Sequence, residues 1–323
     1  ANIFLKDGTH LMPPFLLKKI AGRRILLVGL TTTKTSTATL AENVAGLEFK
    51  NPAQALAAVL DDQQGNYDLC LVISHLGLAE DKLLAAKFGE KITAVIGGHS
   101  HIPLKEPLII NGCLIAQAGA DAKFLGKITI PLQAGKPVLS KLLPLADVAP
   151  KEDIQAIYDR YAQSLEKEME NVLGWAGRDY TKKEVGTFIA EALAEWSGAD
   201  AVLYNGGGIR GGLKAGPVTA EDIFLSEPFG NRLVVGEISG ERLALIGEIK
   251  SRRQHDFFRG PAFIDPAKTY LLATSDFLAQ GGSAYGLALK DKAGGSGKLV
   301  RDILTDYLLK NVLKQDLPPA ASY

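Results

Sequence analysis

Three of the five histidines sit where an apolar run gives out. His75 follows DLCLVIS, and His99 and His101 follow the two glycines that close ITAVIGG. A His-x-His pair plus a third imidazole from a neighbouring strand end supplies borderline nitrogen ligands suited to Zn, Mn or Fe. Core packing accounts for one such histidine, but three at equivalent edges point to a metal. Three imidazoles suffice for a mononuclear zinc site with an open position, whereas a two-metal hydrolytic site also needs bridging and terminal carboxylates. The nearest carboxylates, Glu80, Asp81 and Asp121, do not fall at matching strand ends, and Asp121 reads as a surface group.

A second constellation runs from Tyr204 to Arg232, YNGGGIRGGLKAGPVTAEDIFLSEPFGNR. Gly206, Gly207 and Gly208 lack a Cβ, so they can take φ > 0 and bring backbone N–H groups close to a ligand. Arg210 follows with a planar fork of donors suited to a carboxylate or phosphate. The turn Pro228–Asn231 presents the ring of Phe229, and a strand ending at Asp276-Phe277, with Gly281-Gly282 close behind, presents a second ring. Two rings could sandwich a planar ligand, each face worth roughly 1 kcal/mol beyond burial. Such loops suit an anionic, aromatic ligand, and a nucleotide qualifies. They equally suit a tight loop with a surface arginine and two core phenylalanines, and the local residues leave that choice open.

The elements that must hold these groups follow from periodicity. ILLVGL (Ile25–Leu30), YDLCLVISH and the run from Ile92 read as buried strands. Helices are expected from Pro52 to Leu60, capped by Asn51 with Pro52 at the first position, and from Leu78 to Phe88. Residues 2–20 read as irregular, Lys105–Ile115 and Ala122–Ile130 as a returning pair of strands, and Pro137–Pro150 as a loose domain exit. Strand–helix–strand repetition of this kind predicts an α/β layered domain with function at the carboxyl ends of its strands. Lys151–Val172 is helical by the return of Ile154, Ile157, Tyr161, Leu165 and Met169, with Gly174 and Gly177 closing it. A second α/β domain then begins near Arg178. Its helix spans Val185–Trp196, LVVGEIS is a strand, GERLALIGEIK a helix, Arg252–Gly260 irregular with a surface His255, and Leu299–Val312 a last helix before Pro318-Pro319.

Composition sets the outer bounds. The chain has 323 residues, 46% apolar and 22% charged, which suits a soluble globular protein of two domains. Lys+Arg and Asp+Glu each number 36, so no basic surplus argues for nucleic-acid binding. Cys70 and Cys113 lie in apolar surroundings and read as buried small hydrophobes. No apolar run approaches ~18 residues, so no membrane span or signal peptide is expected.

GLTT (Gly29–Thr32), SHLG (Ser74–Gly77), GGHSH (Gly97–His101), NGGGIR (Asn205–Arg210), PFGN (Pro228–Asn231) and DFLAQGG (Asp276–Gly282), in this order, resemble the 5′-nucleotidase family. That family includes UDP-sugar hydrolases and 2′,3′-cyclic nucleotide phosphodiesterases, and the likeness runs from near residue 1 to near residue 312. It implies a two-domain α/β protein. Residues 1–147 would be part of a calcineurin-like metallophosphoesterase domain, 148–174 a linker helix, and 175–323 a carboxyl-terminal domain that binds the nucleoside. The resemblance implies that His75, His99 and His101 are ligands in a centre of two divalent metal ions. Asn205 and Arg210 would hold the phosphate side, with Arg178 assisting and Lys182 or Lys183 where some relatives have another arginine. Phe229 and Phe277 would clamp the base, with Asn231 and Ser283 completing the substrate site. The partner implied is a small-molecule nucleotide, and the setting periplasmic or extracellular; oligomeric state is not legible.

The departures matter as much. The family's Asp-x-His pair, its aspartate after glycine and its Asn-His pair are absent, and residues 1–30 resemble the region beyond them. The chain is therefore expected to be the carboxyl-terminal portion of a nucleotidase, with weak or single metal occupancy. Where relatives have GGDG, this chain has Gly281-Gly282-Ser283-Ala284; a neutral serine replaces an aspartate that would accept from sugar hydroxyls. The segment Lys250–Gly260 is also shorter than in relatives.

Overall fold

The computed structural model describes residues 1–131, 138–292 and 297–314. Pro137 and Pro318-Pro319, read above as breaks, lie outside the described residues. The chain divides into two compact units, Ala1–Ala38 with Glu42–Pro150, and Thr39–Ala41 with Lys151–Tyr323.

Unit 1 contains the strands β1 (Ile3–Leu5), β2 (Leu16–Ile20), β3 (Arg23–Thr31), β4 (Leu47–Phe49), β5 (Leu69–His75), β6 (Ala94–Gly97), β7 (Leu108–Ile110), β8 (Cys113–Gln117), β9 (Phe124–Thr129) and β10 (Leu139–Pro144). Its helices are α1 (Thr35–Ala38), α2 (Pro52–Asp62) and α3 (Leu78–Phe88). Asn51 starts α2 as expected, its side-chain oxygen accepting the Gln54 N–H at 3.1 Å ahead of a proline whose missing donor costs the helix nothing. Six strands form one sheet in the order β2-β3-β5-β6-β8-β7, with β3, β5, β6 and β8 parallel.

Unit 1 departs from the sequence-based expectation in four places. Residues 2–20 are not irregular: β1 pairs with β4, and β2 with β3. Lys105–Ile115 is no single strand but a hairpin, β7–β8, turned at Asn111-Gly112, both at positive φ. The stretch through residue 130 pairs not with it but with β10, inside the supposed loose exit. Finally, the central strands are buried fully on one face and only in part on the other. Leu26, Val28, Cys70 and Val72 pack under α2 and α3 with Leu56, Leu60 and Leu84. The opposite face is covered by the β9–β10 hairpin around Leu71, Ala94 and Leu114, leaving Ile73 and Ile96 exposed. Both cysteines are buried and free, and burial pushes their thiols up, Cys70 to about 12 and Cys113 to about 11.

Unit 2 contains α4 (Glu152–Met169), β11 (Val172–Ala176), α5 (Lys182–Ser197), β12 (Ala201–Tyr204), β13 (Gly216–Thr219), α6 (Ala220–Ser226), β14 (Leu233–Ser239), α7 (Gly240–Arg252), β15 (Phe257–Arg259), β16 (Thr269–Ser275), α8 (Asp276–Ala279) and α9 (Val300–Asn311). The helix read as a linker clusters with this unit; its stripe of Ile154, Ile157, Tyr161 and Leu165 keeps helical spacing but remains half exposed. It ends at Met169, earlier than Gly174. That glycine lies instead in β11, where an added Cβ would sit 2.9 Å from Leu313 Cβ. Part of the segment after Arg252 is also regular, since Phe257–Arg259 form β15.

The main sheet runs β14-β16-β12-β15. Period-two alternation sends Val202, Tyr204, Val235 and Ala273 toward Ile189, Leu193, Leu304 and Leu308, and Ala201, Leu203 and Leu272 toward Leu243 and Ile246. Helix α5 begins in a capping box: Thr181 Oγ1 accepts the Glu184 N–H and Glu184 accepts the Thr181 N–H at 2.8 Å. Replacing Thr181 with Ala is expected to destabilise the unit by about 1 kcal/mol. A urea unfolding curve should show a lower midpoint with an unchanged slope.

Candidate functional site

In unit 1, the parallel strands bring Thr31, His75, Gly97 and Gln117 to one carboxyl edge, because Thr31 is registered against His75 and Gly97 against Gln117. His99 and His101 both take left-handed φ, 72° and 56°. The His75 and His99 rings meet edge to face, 5.0 Å between centres. Burial lowers the pKa of His99, aided by His75, Lys34 and His101, so at neutral pH it is held in the uncharged form that binds metals. The carboxylates go elsewhere. Asp81 is fully buried and accepts from Ser74 Oγ, and Asp121 is exposed beside Lys123. Among the described residues no group of three or more His, Cys, Asp or Glu side chains is arranged to hold a metal ion. The imidazoles present therefore do not meet the donor set of a two-metal centre, and no reaction step is assigned to one.

The GGHSH loop is instead held by a residue that no sequence motif marks. Gln117, almost wholly buried at the end of β8, donates to Gly98 O at 3.1 Å, and its Oε1 accepts from Ser100 Oγ at 2.8 Å and the Ile102 N–H at 3.0 Å. Ser100 Oγ in turn accepts the Leu78 N–H, joining this loop to the start of α3. Gln117 ends a fourth parallel strand, so the strand-end rule that singles out the histidines is the signal that could have found it.

In unit 2 the register of β12, β16 and β14 gathers the second constellation. Val202 lies against Ala273 in parallel and Leu233 against Ser275 in antiparallel, so Asn205, Arg232 and Asp276 all leave the sheet at the same edge. Arg232 and Asp276 are bonded twice there: the Asp276 N–H donates to Arg232 O at 2.8 Å, and Asp276 Oδ1 accepts the Arg232 N–H at 3.1 Å. Arg210 is exposed, its guanidinium 4.9 Å from the centre of the Phe229 ring, which is itself half exposed. Phe277, in α8, is half buried against the Leu243 cluster, and Gly282 packs on its ring at a distance no Cβ would permit. Ser283 lies at φ 54°.

The glycine loop does not present a row of free donors. Gly206–Gly208 form a 3₁₀ turn, and none of the three has positive φ. The Gly206 N–H goes to Asp256 Oδ1 at 2.8 Å, the Gly208 N–H to Asn205 O and the Ile209 N–H to Gly206 O. Glycine is required here by crowding: a Cβ on Gly206 would collide with His255 O, and one on Gly208 would sit 3.1 Å from the Tyr204 ring. Asn205, nearly buried, keeps a side-chain oxygen with no partner among the described residues.

Arg178 is held by its own neighbours. Tyr180 pairs with Leu213, and Asp179 binds Lys214 at 2.8 Å and the Ala215 N–H at 2.9 Å. Arg178 itself donates to Glu184 at 2.6 Å and stacks on Tyr180, 4.3 Å from its ring centre. The Asn231 amide donates inward, to Tyr204 Oη at 3.0 Å and Glu227 Oε1 at 2.8 Å. Glu227 is wholly buried, which pushes its carboxyl up despite the hydrogen bonds from Tyr204 and Asn231, and its Oε2 has no partner among the described residues. No local pattern marks Tyr204 or Glu227; only the fold brings them together.

Residues 169–256, which include the glycine loop and the Phe229 turn, match the model described as "5'-nucleotidase, C-terminal domain". The protein UshA of Escherichia coli K12 is 23% identical over 96% of this chain and 72% of its own length. The trifunctional nucleotide phosphoesterase YfkN of Bacillus subtilis 168 is 28% identical over 73% of this chain, but that match spans only 17% of YfkN. The crystal structure of a 5′-nucleotidase precursor from Thermus thermophilus superposes with a TM-score of 0.77 at 22% identity, covering 98% of this chain and 76% of that one. The chain has the 5′-nucleotidase superfamily fold and is a distant relative of these enzymes.

The Arg178–Glu184 pair makes the site testable by pH. Arg178 first, then Thr181, holds the Glu184 carboxyl down at about 2. Because this folded value lies below the unfolded one, the stabilisation is present above the ordinary carboxylate range and is lost as pH falls toward 2. Replacing Arg178 with Gln should raise the Glu184 midpoint in an NMR titration. In the wild type, a ligand that recruits Arg178 raises the same midpoint, and one that does not leaves it where it was.

Proposed function

We propose that the protein is a phosphoric ester hydrolase acting on nucleotides, releasing nucleoside and phosphate, with recognition carried by unit 2. The observation that supports this most directly is Arg210 held 4.9 Å over the exposed Phe229 ring, at the sheet edge that also bears Asn205 and Phe277. A guanidinium so placed offers its fork to a phosphate, and the half-exposed ring beneath it keeps apolar surface for a base. Asn205 adds a buried acceptor without a partner among the described residues, which suits a hydroxyl donor better than a phosphate oxygen. Phe277 contributes a second apolar surface and Ser283 a neutral one at the sugar end. Asn231 acts through the turn: its bonds to Tyr204 and Glu227 fix the backbone from which Phe229 projects. The ester class narrows to nucleoside 5′-monophosphates on the resemblance alone, with UDP-sugars and 2′,3′-cyclic nucleotides as the alternatives. An exported setting rests on the same likeness. Among the described residues no helix is long and apolar enough to cross a membrane.

A second reading, nucleotide binding without turnover, is favoured by the donor set at the histidines, where among the described residues no carboxylates complete a metal-holding group with the imidazoles. The two part company in one measurement. Phosphate release from a nucleoside 5′-monophosphate, with Mn²⁺ or Zn²⁺ supplied, supports hydrolysis; binding by calorimetry with no release supports the second reading. For either, Arg210→Ala should weaken binding of the monophosphate by about 2 kcal/mol, roughly thirtyfold in Kd, and leave the nucleoside unaffected. If turnover is found, Phe277→Ala should raise KM more than it lowers kcat, since a ring that only binds contributes equally to ground and transition states.

A further inference from the structure

Asp256, lodged between α7 and β15, is not among the groups that would face a ligand, yet it is 3% exposed and fully bonded. Its Oδ1 accepts the Gly206 N–H at 2.8 Å and its Oδ2 accepts the Tyr285 O–H at 2.7 Å. Tyr285 is buried, and the Arg253 guanidinium stacks 5.0 Å from its ring centre. Arg253 also donates to Ser283 O. A chain of contacts, hydrogen bonds joined by one cation–π stack, thus runs from Gly206 through Asp256, Tyr285 and Arg253 to Ser283. One end is the loop that carries Asn205 and Arg210. The other is the turn packed on the Phe277 ring, since Gly282 tolerates no Cβ there.

That turn would not hold its shape unaided. Ser283 and Ala284 both lie in the left-handed region, φ 54° and 53°, which residues with a Cβ adopt only under constraint. Arg253 pins the first carbonyl of the pair, and Arg242 pins two that follow, Tyr285 O at 2.7 Å and Gly286 O at 2.9 Å. Strain held by these hydrogen bonds fixes where the Phe277 turn stands relative to the glycine loop.

We propose that Asp256 and Tyr285 are positioning residues that set the distance between the phosphate-recognising and base-recognising ends of the nucleotide site, so that one ligand engages both at once. This rests on the nucleotide reading of that site. A ligand whose two halves are each bound at fixed spacing gains from the linkage, and a slack spacing loses that gain while each half still binds. The inference is therefore about coupling rather than about either end.

The probes are adenosine, adenosine 5′-monophosphate and inorganic phosphate, titrated by calorimetry against the full chain. In the wild type the monophosphate should bind far more tightly than adenosine. Tyr285→Phe keeps the ring beneath Arg253 and removes only the hydroxyl. It should cut the ratio Kd(adenosine)/Kd(monophosphate) about tenfold, with Kd(adenosine) changed less than twofold. Asp256→Asn keeps an acceptor for Gly206 and offers the phenol oxygen a donor, so it should retain most of the wild-type ratio; Asp256→Ala should lose it. An unchanged ratio in Tyr285→Phe overturns the proposal, as does a parallel weakening of both ligands tracking a fall in Tm. Failure of the wild type to bind any of the probes overturns the nucleotide reading itself, and this inference with it.

Discussion

The register of three strands governs unit 2. Because β12 runs parallel to β16 and β14 antiparallel to it, the chain leaves the sheet at Asn205 and Asp276, and enters it after Arg232, along a single edge. A one-residue slip would turn every side chain of a strand to the other face and exchange the two hydrophobic clusters. The register is thus held by both cores at once. It is what allows segments far apart in sequence to share one neighbourhood, and it makes their backbones crowd. Glycine at positions 206 and 282 answers that crowding, not a need for unusual dihedrals.

Buried polar groups then convert proximity into fixed geometry. In unit 2, Glu227 gathers Tyr204 and Asn231 under the Phe229 turn, and Asp256 gathers Gly206 and Tyr285. In unit 1, Gln117 and Asp81 do the equivalent beneath the histidine-bearing loops. Each is worth more for order than for net stability, because a buried polar group left unmatched costs more than a matched one contributes. Burial pushes Asp81 and Glu227 up, toward the neutral form, which lessens the penalty of holding a carboxyl away from water. Asp81 is used to brace a strand end, and Asp121 is at the surface beside a lysine.

Much of this is legible in the residues alone. The runs at Ile25, Leu69 and Ala94, the Asn51 helix start and the apolar period of α5 follow from local physics that tertiary packing reinforces, whereas α5 begins three residues before the expected Val185, at the Thr181 cap. The placement of His75, His99, Asn205, Arg210 and Phe229 at strand ends or in the connecting loops is as expected, while Phe277 lies one residue inside the short helix α8. What fails are inferences that need a partner. An apolar strand does not say whether one face or both will be covered, so the expectation of burial breaks down at Ile73 and Ile96. Three glycines do not say whether they serve a ligand or a neighbouring carbonyl. Arg178 does not announce that Glu184, six residues on, has claimed it.

By itself, then, the order of residues determined the α/β alternation, the two-unit plan's main elements and the places where chemistry-bearing side chains would surface. These depend on propensity, periodicity and turn stereochemistry, all short-range. Only the tertiary structure decided which of those side chains meet, which carboxyls are buried as braces and which hydrogen bonds tie one loop to another. Such outcomes turn on desolvation and on contacts between residues distant along the chain, and no local window of sequence contains them.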